Sequence, residues 1–303
     1  SVSLPDYNPE KKSMFEEKNL INRVFQSNFE MGSTFKPITA TMGFDLGIIN
    51  PEMTFDVKEK FLNIGDHDKF KENGIYDVEK IIVESSNIGT AKIATMIGKK
   101  NQKIFFDSLG FNKRVNIENE EAANPLGNKN NWGPVETATI GFGHGFSITP
   151  LHLVKAYGTI ANNGIEVYPT LKLNNKFKEK KILRNENSSK FFLNLLNSVV
   201  LKTDYTGPRV KVDGYQVGGK TGTSELLNPK GGYYKDRNMT SFIGVFPINN
   251  PKYVIYTALE YPKKQEGTNQ KMTGARVNAP LVKEIIINII NLFNIPKDFS
   301  DEI

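Results

Sequence analysis

The sequence predicts an α+β fold, on three observations. Apolar residues recur at helical spacing through most of the first two-thirds of the chain, the period then drops to two over several short runs, and a strongly apolar helical face closes the sequence. A helical part is therefore expected at about 33–205, and a sheet with its terminal helix at about 206–295. No Gly/Ser-rich or Pro-rich linker divides the chain, so residues 1–303 read as one domain.

The segment from Ser1 to Pro9 is turn-rich. Residues 33–46 are predicted to form a helix that opens at Ser33 and stops at Gly47 and Pro51. Residues 78–98 are helical with a break near Ser85-Ser86-Asn87, Gly98 ends the second piece, and 101–109 is a further short helix. The stretch 113–135, rich in Asn, Gly and Glu, is expected to be a long loop. After Thr149-Pro150, Leu151, Val154, Tyr157 and Ile160 share a helical face as far as Asn162-Asn163-Gly164. Phe191, Phe192, Leu195, Leu196 and Val199 make another over 188–202. Strands are expected at Tyr215–Val217, Ser241–Phe246 and Tyr253–Leu259, with Asn249-Asn250-Pro251 as the turn between the last two. Val282, Ile285, Ile286, Ile289 and Phe293 form the face of the final helix.

Composition excludes several chemistries. With no cysteine there is no disulfide, thiolate zinc site or cysteine nucleophile. The three histidines, His67, His144 and His152, are too scattered to suggest a metal site, and no metal is expected. The net charge of +6 is carried by scattered lysines such as Lys99, Lys100, Lys176 and Lys178 rather than by a basic stripe interleaved with aromatics, so no nucleic-acid partner is expected. No apolar run approaches the ~18–20 residues of a membrane span; Ile285-Ile286-Ile287 is soon interrupted by Asn288.

Three short fragments carry the chemistry: Ser33-Thr34-Phe35-Lys36, Ser85-Ser86-Asn87 and Lys220-Thr221-Gly222-Thr223. Each alone has a bland reading, as a commonplace helical pair, a helix cap and a turn. In this order they describe acyl transfer by a serine without a histidine. Ser33 and Lys36, at i and i+3, share one helical face. Lysine becomes a base only if its pKa falls, which burial and a neighbouring cation, here Lys220, both promote. Ser33 at a helix start points free N–H groups at a reacting carbonyl, and one of them, with another from the strand holding Thr223, makes an oxyanion hole. Ser85 passes a proton between Lys36 and a leaving amine, and Asn87 orients the substrate amide and the lysine. Thr221 and Thr223, with Lys220, suit a substrate carboxylate, while Gly219 and Gly222 let a substrate backbone lie close.

Gly214 to Thr221 also fits the phosphate-loop pattern letter for letter. That loop must follow a buried apolar strand and open a helix, whereas residues 208–213 are half polar and Gly222 and Pro229 would break a helix. Gly141-Phe142-Gly143-His144-Gly145 lacks the context of a dinucleotide turn and is expected to shape a bend near the pocket.

The three fragments together resemble the transpeptidase domain of class B penicillin-binding proteins, most closely the FtsI-type enzymes of cell division. The resemblance extends over nearly the whole chain: Asn22-Arg23, Glu30 to Pro37, Glu136 to Leu151, Ser241 to Pro247 and Ala279-Pro280 match the family's other segments. Met31 departs from the proline usual there. The resemblance implies the penicillin-binding protein and serine β-lactamase-like fold, an antiparallel sheet flanked by helices plus an all-helical subdomain. It implies that Ser33 attacks the penultimate D-alanine carbonyl of a peptidoglycan stem peptide, expels the terminal D-alanine and passes the acyl group to an amine of a neighbouring stem. β-Lactams would acylate the same serine, and no cofactor is implied. A periplasmic location at the inner membrane, divisome membrane proteins as partners, and an anchor, an accessory domain and the first sheet strands ahead of residue 1 are implied as well. On that reading the edge of strand 253–259 is left unpaired. A serine β-lactamase, with Glu120 or Glu121 driving deacylation, and a non-catalytic β-lactam sensor are the alternatives.

Overall fold

The computed structural model describes residues 1–11, 16–66, 74–118, 121–127, 132–228, 230–263 and 272–298. His67, Glu120 and Pro229, named above, lie outside them. The helical part begins with α1 (Glu17–Leu20), β1 (Phe29–Glu30) and a 3-10 turn, Gly32–Phe35, that runs into α2 (Lys36–Asp45). Then come β2 (Thr54–Asp56), β3 (Ile75–Asp77), α3 (Val78–Val83), α4 (Asn87–Leu109), β4 (Leu126–Gly127), α5 (Pro134–Ile140), β5 (Phe146–Ile148), α6 (Pro150–Ala161), α7 (Ser188–Lys202) and α8 (Gly207–Val210). Strands β6 (Gly218–Leu227), β7 (Tyr233–Phe246) and β8 (Tyr253–Glu260) and helix α9 (Ala279–Phe293) complete the chain.

Among the described residues the main sheet is antiparallel, in the order β6-β7-β8. Two small sheets, β1-β5-β4 and β2-β3, pin loops of the helical part. Strand β7 forms the middle layer because its side chains alternate. Ile243 and Val245 join Phe35, Ile38, Ile81, Ile93, Tyr157 and Phe192 in the helical core. Phe242 and Phe246 face the other way, onto Val282 and Ile286 of α9. Each such side chain, fully buried, contributes about 1.5–3 kcal/mol.

The structure differs from the sequence reading in several places, among them the second sheet strand, which starts at Tyr233 rather than Ser241. The first sheet strand is Gly218–Leu227, not Tyr215–Val217. Tyr215 makes only an isolated bridge to Val212, and its hydroxyl donates to Ile295 O at 2.7 Å. Ser33 lies in the 3-10 turn, three residues ahead of the α-helix. The stretch 113–135 is not all loop, because it contains β4 and the start of α5. Gly98 does end a helical segment: its φ of 75° kinks α4, and helix resumes to Leu109. Helix α7 occupies the expected 188–202. Strand β8 pairs with β7 alone among the described residues, and its other edge is open. No helix there is long and apolar enough to cross a membrane.

Candidate active site

The turn that carries Ser33 is held by backbone contacts. Gly32 has φ +53°, and a Cβ placed on it would meet Thr223 O at 2.6 Å, so only glycine fits between this turn and β6. Its N–H donates to Gly143 O at 3.1 Å, which sets the Gly141–Gly145 bend directly against the turn. Thr34 Oγ1 donates to Met31 O at 2.7 Å, and the buried Tyr157 hydroxyl donates to Thr34 O at 2.6 Å. Strand β6 approaches equally closely at Gly222, where a Cβ would sit 2.8 Å from Thr34 Cγ2 and 3.2 Å from Met31 O. Ser33 itself is half-buried.

One helical turn on, Lys36 is fully buried. Its Nζ donates to Ser85 Oγ at 3.1 Å and also to the Ser85 carbonyl. From the sheet, Lys220 Nζ, itself 1% exposed, donates to the same Ser85 Oγ at 3.0 Å. Ser85 joins α3 to α4 with φ 59°, a left-handed conformation that non-glycine residues rarely adopt and that concentrates at functional sites. A serine oxygen has two lone pairs. With both taken by lysines, the Ser85 hydrogen is free to donate elsewhere.

Burial pushes the Lys36 pKa well below its usual value, the Lys220 charge pushes it further, and Asp66 partly opposes both. Burial brings Lys220 down to about 7. Protonating both lysines at once is therefore disfavoured. Asp66 carries no sequence signal, yet it organises the third wall. Its carboxylate accepts from Asn87 N at 2.5 Å, Ile88 N at 3.3 Å and Ser86 Oγ at 2.5 Å, which caps α4. Ser86 Oγ in turn accepts from Gly89 N at 2.9 Å.

Lys36 and Lys220 thus both hydrogen-bond Ser85, with Ser33 on the adjoining turn. Asn87 is the first residue of α4, half-buried, and its side chain makes no hydrogen bond among the described residues. Lys220 and Gly222 face inward on β6, while Thr221 and Thr223 alternate with them on the more open side. The strand runs unbroken through Lys220 and Thr221 to Leu227, so no helix follows and no phosphate loop forms. Glu121 is exposed and accepts from Gln26 Nε2 at 2.9 Å. His152 is structural: Thr149 Oγ1 lies 2.7 Å from its Nδ1 and Lys113 O 2.9 Å from its Nε2, and burial lowers its pKa to about 4. No group of side chains able to hold a metal ion occurs among the described residues.

Residues 1–286 match the family described as the penicillin binding protein transpeptidase domain. The chain is 31% identical over 300 residues to the "Probable peptidoglycan D,D-transpeptidase FtsI" of Caulobacter vibrioides, a match that covers 95% of this chain and 50% of that protein. It is 28% identical to the "Probable peptidoglycan D,D-transpeptidase PenA" of Neisseria flavescens, over 97% of this chain and 72% of the relative. Among solved structures, the apo transpeptidase domain of Burkholderia pseudomallei penicillin-binding protein 3 superposes with a TM-score of 0.80 at 27% identity, covering 92% of this chain and 84% of that one. The chain spans about half the length of the FtsI relatives it matches. The order of the three fragments, the meeting of two buried lysines at one serine, and these matches have a single explanation: the chain belongs to the penicillin-binding protein transpeptidase family.

Proposed function

We propose that this chain is the catalytic part of a peptidoglycan D,D-transpeptidase of the FtsI type, with Ser33 as nucleophile. The observation that carries this reading is the pair of buried lysines converging on Ser85 beside the Ser33 turn. Lys36, as the free amine, takes the Ser33 proton while Ser33 Oγ attacks the penultimate D-alanine carbonyl of the donor stem. The Ser33 and Thr223 N–H groups receive the oxyanion. Collapse of the tetrahedral intermediate breaks the amide, and the leaving D-alanine nitrogen takes its proton from Ser85 Oγ, which Lys36 reprotonates. An amine of a second stem then attacks the Ser33 ester by the reverse route and forms the cross-link. Lys220, Thr221 and Thr223 bind the terminal carboxylate, Gly222 keeps the strand free of a Cβ, and Asn87 orients the donor amide. β-Lactams acylate Ser33 because they present the same acyl carbon.

Septal wall synthesis, a periplasmic position at the inner membrane and engagement of divisome membrane proteins belong to the same proposal, as does an N-terminal region that supplies an anchor and strands for the open edge of β8. The division into a helical part at about 33–205 and a sheet part at about 206–295 belongs to it too.

A fluorescent penicillin tests the reading. The full-length protein is expected to form an adduct that persists for hours and disappears in Ser33→Ala. Rapid turnover of the label would mean a β-lactamase, and no label would sink the proposal. Cross-linking of stem peptides by the same protein separates an enzyme from a sensor.

A further inference from the structure

A second polar cluster lies immediately upstream of Ser33. The buried carboxylate of Glu30, on β1, accepts from Gly145 N at 2.8 Å and Tyr233 Oη at 2.7 Å through one oxygen, and from His144 Nδ1 at 2.8 Å through the other. His144 Nε2 lies 3.4 Å from Tyr233 Oη. Counting protons bears on the charge state. The only Tyr233 hydrogen is committed to Glu30, so Tyr233 Oη offers only lone pairs to Nε2. A neutral imidazole that donates from Nδ1 would set its own Nε2 lone pair against them. An imidazolium donates from both nitrogens and closes the ring of hydrogen bonds.

We infer that Glu30, His144 and Tyr233 form a clasp that positions the acylation site and closes only when His144 is an imidazolium. The clasp ties together β1, the Gly141–Gly145 bend and the start of β7. The bend accepts the Gly32 N–H, and β6, paired with β7, supplies the Thr223 carbonyl that abuts Gly32. Loosening the clasp therefore loosens both walls of the Ser33 turn. A cavity of about 330 Å³ beside the clasp is lined in part by Glu30, Ser224, Glu225 and Arg237.

The surroundings favour the charged ring. Glu30 faces it from β1, Glu225 from β6 and Tyr233 from β7, and together the two carboxylates hold the His144 pKa above its usual value against partial burial. Tyr233 stacks on the ring at 5.2 Å, and Phe142 lies nearly parallel to it at 6.3 Å. No hydrogen bond joins His144 to Ser33, Lys36 or Ser85 among the described residues, so it is a positioning residue. This inference rests on Ser33 being the acylated residue, but its first test does not.

That test is the NMR titration of the His144 ring in the full-length protein. Its midpoint is expected above 6.5 and should fall in Glu30→Gln. A midpoint at or below the ordinary value, or one unmoved by Glu30→Gln, overturns the clasp whether or not penicillin reacts. The second test is the second-order rate of penicillin acylation from about pH 5.5 to 9.5. His144→Gln is expected to acylate about three- to tenfold more slowly at neutral pH and to lose the alkaline decline that follows His144 titration. Tyr233→Phe, which keeps the Glu30–His144 pair, should show a smaller loss, and it carries the rate test if His144→Gln does not fold. Wild-type rates and profiles in both variants would overturn the proposal. Absence of labelling in every form, with the titration as expected, would count against Ser33 acylation and not against the clasp.

Discussion

Two titratable clusters flank the Ser33 turn, and they follow opposite electrostatic rules. Downstream, Lys36 and Lys220 share one hydroxyl in a fully buried site, and no carboxylate hydrogen-bonds to either ammonium among the described residues. Upstream, a carboxylate meets an imidazole whose side chain is still 42% exposed. Burial and like charge push the lysines down, while pairing pushes the histidine up. A buried pair of one sign disfavours protonating both amines, which favours a free amine able to accept a proton. A pair of opposite signs, buried at Glu30 and partly exposed at His144, favours keeping its proton and its geometry. On the proposed reading, the first arrangement serves chemistry at some cost in stability, and the second serves placement.

Removing the proposed base should break the downstream cluster most severely. Lys36→Gln is expected to lower the penicillin acylation rate by about 10²–10⁴-fold, the usual contribution of a positioned general base. A loss under about tenfold would mean that some other group takes the Ser33 proton. Changing the neighbours of Lys36 should move its titration in opposite directions. Lys220→Met removes the charge that lowers it, so the acid limb of the acylation profile should move to higher pH. Asp66→Asn removes the charge that raises it, so that limb should move to lower pH, while the amide oxygen can still cap α4. Both limbs moving the same way would contradict the assignment.

The lysines also set how stability depends on pH. A lysine whose pKa is about 7 when folded, against an ordinary 10.5, binds fewer protons folded than unfolded between those values. Stability should therefore rise with pH across that window, by up to about 1.4 kcal/mol per pH unit for one such group. Denaturant titrations of Lys220→Met should show a flatter slope there. An unchanged slope would mean that Lys220 is not the group responsible.

How much of this was legible in the sequence depended on whether the constraint is local. Ser33 and Lys36 must sit one turn apart, and that spacing is written in the chain. The helices with an apolar stripe were legible for the same reason. Strand β6 was not, because Gly219 and Gly222 replace the alternating apolar residues where the strand lies against neighbouring backbone and side chains. The 3-10 turn is not legible because the same residues suit either helix, and the Gly32–Thr223 contact beside it joins positions far apart in the sequence. Asp66 and Tyr233 had no local signal at all, since each acts on partners from other elements. Glu30 and His144 stood inside segments noted for their resemblance to the family, but their pairing is a tertiary fact.

The smallest expected effect lies in the upstream cluster, and its sign opposes that of the lysines. The folded pKa of His144 is raised above the ordinary 6.5, so the folded state binds more protons than the unfolded state between those two values. The stabilisation is complete below the unfolded value and is lost as pH rises through the folded one. Because the imidazole is well exposed, solvent screening holds the contribution below about 1 kcal/mol. In a Lys36→Met, Lys220→Met background, where neither lysine contributes its rise, the wild-type clasp should show as a slight fall in stability as pH rises above 6.5. Adding His144→Gln should abolish that fall. If the fall survives His144→Gln, another group carries it, and the upstream cluster is only a set of contacts whose protonation leaves folding unaffected.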